Sequence, residues 1–122
     1  MNNMMRVRYE VSASLTGLIC VLYDAHKQSC RGKTTDHAIH ELLGVSLESS
    51  MQIVDEHFPS VSQLFAGRAA KLHLMSDQLV QSEKTGLKPQ DHMRLRLIRN
   101  LEQFNFELED ALRSAETKMS AD

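Results

Sequence analysis

Apolar residues recur every three or four positions along most of the chain, the spacing of one face of an α-helix. The longest stripe is Met93, Leu97, Leu101, Phe104, Leu108, Leu112 and Ala115, inside the stretch from Pro89 to Met119. Pro89 suits the first helical position, where a missing N–H costs nothing. Asp91 puts a carboxylate in the first turn, where the helix dipole favours it. No glycine or proline follows Pro89, so nothing local stops this helix before the tail. A stripe this long must lie against other helices.

The preceding segments supply them. From Ser12 or Ser14 onward, Leu15, Leu18, Ile19 and Leu22 make a face that Val11 and Ala25 extend, closed by Arg31-Gly32, a basic residue then glycine as helix C-termini prefer. Thr34 or Thr35 can cap a second helix, with Asp36 in its first turn. It is predicted from about Thr35 to His57, and Ile39, Leu43, Leu47, Met51, Val54 and Phe58 carry its stripe without a break through Gly44. Phe58-Pro59 ends it, because the residue before proline disfavours the α region. Ser60 with Gln63 reads as a capping box. It opens a third helix bearing Val61, Leu64, Phe65, Leu72, Met75 and Leu79, closed by Gly86. Ala66-Gly67 and Ala69-Ala70 on that helix are small enough to admit a close neighbour.

Residues 1–13 read differently. Met5, Val7, Tyr9 and Val11 alternate with Arg6, Arg8 and Glu10, a strand-like period that would need a second copy to pair with. Otherwise the segment is an irregular arm or an early helical turn. Residues 120–122 are expected to fray. The connections are short, so neighbouring helices run antiparallel. The expected fold is all-α: one domain over 1–122, a four-helix up-down-up-down bundle with a short irregular N-terminal arm.

Composition agrees and narrows the function. Two prolines and five glycines in 122 residues argue against a β-sandwich or barrel. With four phenylalanines, two tyrosines and no tryptophan, aliphatic side chains must fill the core, and the seven methionines suit adaptable packing. The net charge of −2 supplies no field that would gather nucleic acid or an anionic membrane. The most apolar window, Leu15 to Tyr23, is too short to span a bilayer or to follow the basic N-terminus as a signal peptide. If Cys20 and Cys30 share one helix, they lie about 15 Å apart along its axis, too far for a bridge. Two unpaired thiols fit a reducing compartment, and a cytoplasmic location is expected.

Several motifs invite chemistry. Leu43-Gly44-Val45-Ser46 resembles the turn of a helix-turn-helix, in which the glycine makes the turn. Here His40 and Ser50 occupy the places where that motif wants a small and a branched side chain. No lysine or arginine lies between Lys33 and Arg68, whereas Asp36, Glu41, Glu48, Asp55 and Glu56 do, and a helix this acidic is repelled by phosphates. His40, Leu42 and Gly44 also look like part of the His-x-Leu-Lys-Gly signature of histidine phosphotransfer domains, themselves four-helix bundles. That resemblance implies His40 as phospho-acceptor, although Leu43 stands where the family has lysine. His37, His40 and Glu41 could offer ligands from one helix face, but the carboxylate and Glu-x-x-His pairs of bundle metal sites are missing from the sequence, so no metal is expected. Cys20 reads as a small core residue. Cys30 has basic neighbours in Lys27, Arg31 and Lys33 but no catalytic partner placed by sequence. No phosphate loop or cofactor motif occurs, so neither an enzyme, a cofactor nor a small-molecule substrate is expected.

Charge distribution points to contacts. The first segment is basic (Arg6, Arg8, Lys27, Arg31, Lys33) and the second helix acidic, so pairing between them is expected to be favourable. The last helix carries Arg94, Arg96 and Arg99 before Glu102, Glu107, Glu109 and Asp110, against its dipole, and such blocks match head-to-tail with a second copy. Leu95, Ile98 and Phe106 lie off the main stripe, and with Arg94, Arg99 and Glu102 they form the expected interface. The function expected is a non-enzymatic protein-interaction module, a homodimeric adaptor or regulatory factor. The competing readings are a dimeric nucleic-acid-binding regulator using Arg6, Arg8, Arg94, Arg96 and Arg99, and a phosphotransfer module using His40.

Overall fold

The computed structural model describes residues 3–30, 36–85 and 90–121. It contains α1 (Asn3–Cys30), α2 (Asp36–His57), a 3-10 turn at Pro59–Val61, α3 (Ser62–Thr85) and α4 (Gln90–Ala121), with no strand among the described residues. Each helix packs against two others, in the cyclic order α1, α2, α3, α4, and among the described residues the Cα atoms of the diagonal pairs stay more than 8 Å apart. Side-chain pairs give the directions. Arg8 meets Glu116, Tyr23 meets Glu102 and His26 meets Arg94, so α4 descends as α1 rises. His40 of α2 meets Ser76 of α3, and Arg68 of α3 meets Glu107 of α4. This is an antiparallel up-down-up-down four-helix bundle.

The stripes read from sequence form its centre. Leu15, Leu22, Leu43, Leu47, Leu72, Leu79, Leu101 and Leu112 are fully buried around Phe58, Phe65 and Phe104. Phe65 and Phe104 meet edge to face with ring centroids 5.1 Å apart, the arrangement the ring quadrupoles favour. Met51 and Met93, placed on the same stripes, line the margin of the core half-buried. Gly44 lies within the unbroken α2, so the chain does not turn there and the helix-turn-helix resemblance fails.

Three expectations are corrected. The N-terminal segment is neither arm nor strand: α1 begins at Asn3, because Val7 and Val11 continue the register of Leu15 and Leu18 and are buried with them. α3 begins at Ser62 without the Ser60–Gln63 capping box. Pro59 starts a 3-10 turn instead, and the Val61 N–H donates to the Phe58 carbonyl at 2.9 Å. Cys20 is exposed rather than in the core, since it falls between the inward positions of Leu18 and Leu22. At the far end, α4 runs on through Ser120 to Ala121. The cap at Thr34 or Thr35, the stop signals at Arg31-Gly32 and Gly86, Pro89, and the side chain of Cys30 lie outside the described residues.

Candidate interaction surfaces

One end of the bundle holds a buried polar cluster. The guanidinium of Arg94 (α4) donates to both carboxylate oxygens of Asp36 (α2) at 2.9 and 3.2 Å, and its Nε donates to His26 Nδ1 (α1) at 3.1 Å. Asp91, one turn earlier on α4, takes the remaining nitrogen. Gln90 Nε2 donates to Asp36 at 2.7 Å and to the Leu79 carbonyl of α3 at 3.0 Å. All four helices are thereby joined. Charges this well enclosed are tolerated because each finds an opposite partner and hydrogen bonds. The cluster clamps the fold and leaves Arg94 no surface on which to meet a partner.

That removes Arg94 from the expected interface, and burial removes Ile98, which is 1% exposed. The expectation assumed that α4 covers one neighbouring groove. It covers two, against α1 and α3, so a wider arc of the helix turns inward. Leu95 is half-buried, while Arg99, Glu102 and Phe106 face outward. Glu102 already accepts a hydrogen bond from the Tyr23 hydroxyl at 2.7 Å. Phe106 is 72% exposed, the most exposed large hydrophobic side chain among the described residues.

What α4 presents outward is a stripe of alternating three- and four-residue steps, in which Arg96, Arg99, Gln103, Phe106, Asp110 and Arg113 are all exposed. No ion pair engages the side chains of Arg96, Arg99 or Asp110 among the described residues, and Arg113 is held by Glu109 at 3.3 Å.

A second surface lies between α2 and α3. Here the helices leave an open groove of about 600 Å³ floored by Leu47, Met51, Ala66, Ala69 and Ala70. Gly44, Glu48, Gln52 and His73 form its edges. A methyl built on Gly44 would meet only the His73 ring, at 3.8 Å, and one on Gly67 nothing within 4 Å. The small residues of α3, expected to admit a close neighbour, leave much of this space open.

The other marked residues fall apart in space. Arg8 is buried against Glu116 at 2.7 Å, and exposed Arg6 sits 3.8 Å from Glu10 of its own helix. Arg8 therefore lies beside position 116 of α4, about 30 Å along that helix from Arg96 at 1.5 Å per residue. One chain cannot gather the five arginines of the nucleic-acid reading into a single patch, and two of them are enclosed. The arginines of α1 pair within α1 and with α4, not with acidic α2.

His40 is half-buried. The Ser76 hydroxyl gives its proton to the His73 carbonyl at 3.0 Å, so His40 Nδ1 donates to Ser76 Oγ, 2.7 Å away. The remaining ring nitrogen, Nε2, faces the Asp77 carboxylate at 3.5 Å, which would repel an arriving phosphoryl group. His37 stacks on the His40 ring and pairs with Glu41 at 3.0 Å. Among the described residues, no three His, Cys, Asp or Glu side chains converge as a metal site would require. No described helix is long and apolar enough to cross a membrane.

No protein-family model, no curated protein and no solved structure matches this chain.

Proposed function

We propose that this chain is a non-enzymatic protein-interaction module, an adaptor or regulatory factor that acts as a homodimer joined along the outer stripe of α4. One observation carries the reading: a phenylalanine, Phe106, stands almost free in water on a helix whose inward arc is already filled. Leaving such a ring exposed forgoes roughly 1.5–3 kcal/mol of burial.

The charges around Phe106 favour one pairing. Two stripes laid antiparallel and centred on Gln103 set Arg96 opposite Asp110 and Arg99 over Phe106 of the other copy. An arginine over an aromatic face contributes about 0.5–1 kcal/mol at an exposed site, and twofold symmetry makes every contact twice. Centring the pair on Phe106 instead sets Arg99 against Arg113, like against like. The polar character of this stripe suits a dimer that forms and parts readily.

Light scattering tests the reading. The chain should show twice its 13.8 kDa mass, and Phe106→Glu should return it to the single-chain mass with helical circular dichroism unchanged. A wild-type protein that stays monomeric at high micromolar concentration would remove the dimer.

A further inference from the structure

From the groove between α2 and α3 we infer a docking site for a basic amphipathic helix of a partner protein, independent of self-association through α4. The floor is apolar: Leu47, Met51, Ala66, Ala69 and Ala70. Its volume of about 600 Å³ lies within the roughly 300–1,000 Å³ of established binding pockets. From Gly44 to Gln52 it extends about 12 Å along α2 at 1.5 Å per residue. That length takes two successive turns of a docked helix, which would present apolar anchors at i, i+3, i+4 and i+7.

The rim fixes the sign of the partner's charge. Glu41, Glu48 and Asp55 recur every seven residues on the groove side of α2, and Asp77 stands on α3 where that helix faces His40 of α2. The described part of α2 has no lysine or arginine. The nearest cations of α3 turn the other way: Arg68 pairs with Glu107 of α4, and Lys71 lines the clefts between α3 and α4. Glu48 and Asp55 have no ion-pair partner among the described residues. Lysines or arginines flanking the apolar ridge of a docked helix would meet these carboxylates, whereas an acidic helix would be repelled.

The test uses the full chain and two fluorescent 18-residue helical peptides with the same leucine ridge, one with lysines elsewhere and one with glutamates. The lysine peptide should bind at least tenfold more tightly than the glutamate peptide. Glu48→Lys with Asp55→Lys should weaken its binding at least tenfold. Ala70→Phe, which fills the groove from an exposed position, should do the same at unchanged helical content. Removing equal charge from α1 by Glu10→Lys with Asp24→Lys, both exposed and outside the groove and the α4 stripe, should change binding by less than twofold. Equal loss from the α1 pair would mean that general acidity attracts the peptide, and the site would be overturned. No binding of the lysine peptide, tight binding of the glutamate peptide, or conversion of dimers to monomers by the groove substitutions would overturn it as well.

Discussion

Arg94 of α4 and Asp36 of α2, with Gln90 beside them, tie together two helices that stand diagonally across the bundle. Their side chains are 5% and 3% exposed and meet at 2.9 Å, bridging the diagonal from α4 to α2. Each partner compensates the desolvation of the other, so losing one strands a buried charge. Arg94→Met should destabilise the fold by about 3–5 kcal/mol, read as a lowered midpoint in urea. Asp36→Leu combined with Arg94→Met should cost clearly less than the two single changes added together, because neither charge is then stranded. Strict additivity would show that the bridge does not act as a unit.

Tyr23 and Glu102 give the bundle its clearest titration. The hydrogen bond to Glu102, with smaller contributions from burial and from the carboxylate's charge, raises the Tyr23 hydroxyl above its ordinary value of 10.0. A raised folded-state value means that the linked stability is fully present below the unfolded pKa and is lost as pH rises through the folded one. The α1–α4 contact should therefore hold at neutral pH and weaken only in alkali beyond pH 10.0. Glu102→Ala should bring the phenolate absorbance transition of Tyr23 back down toward its ordinary value. A transition that stays put would break the link between this carboxylate and the shift.

Ser50 is enclosed in α2, and its hydroxyl finds no hydrogen-bond partner among the described residues. A buried hydroxyl without a partner carries a desolvation penalty of about 1–3 kcal/mol. Alanine also has the better helix propensity. Ser50→Ala should raise stability by about 1 kcal/mol in chemical denaturation. A loss of stability would reveal a bond that the hydroxyl makes in solution.

The long stripes of α2 and α4 were legible because their apolar residues keep helical spacing for many turns, and that spacing alone places Leu43, Leu47, Leu101 and Leu108 inside. Position 8 misled. Read as surface, Arg8 completes an alternating pattern with Val7 and Tyr9; paired with Glu116, it is an inward residue of a helix. The better signal was the spacing of Val7 and Val11 from Leu15 and Leu18, which continues the helix backward. Arg94 misled for the same reason, since its partner lies 58 residues away and no local pattern announces it. The α2–α3 groove was foreshadowed only by the run of small residues at 66–70. Whether small side chains invite contact or leave a gap depends on what the facing helix supplies.

Ile98 and Phe106 make the sharpest contrast on α4. Both lie off its main stripe, yet Ile98 is sealed between neighbouring helices and Phe106 points into water. The sequence reading, which gave them one role, implies that a charge at either site would only separate dimers. The bundle geometry predicts different outcomes. Ile98→Asp places a carboxylate among aliphatic side chains with no partner and should cost at least about 4 kcal/mol, leaving the chain largely unfolded or molten by near-ultraviolet circular dichroism. Phe106→Asp should shift stability by no more than about 0.5 kcal/mol when measured at concentrations too low for self-association. Ile98→Val, which removes one methylene, should cost about 0.5–1.5 kcal/mol and confirm tight packing there. If Ile98→Asp folded normally, α4 would have to sit rotated about its axis from the position described, and the polar cluster around Arg94 would move with it.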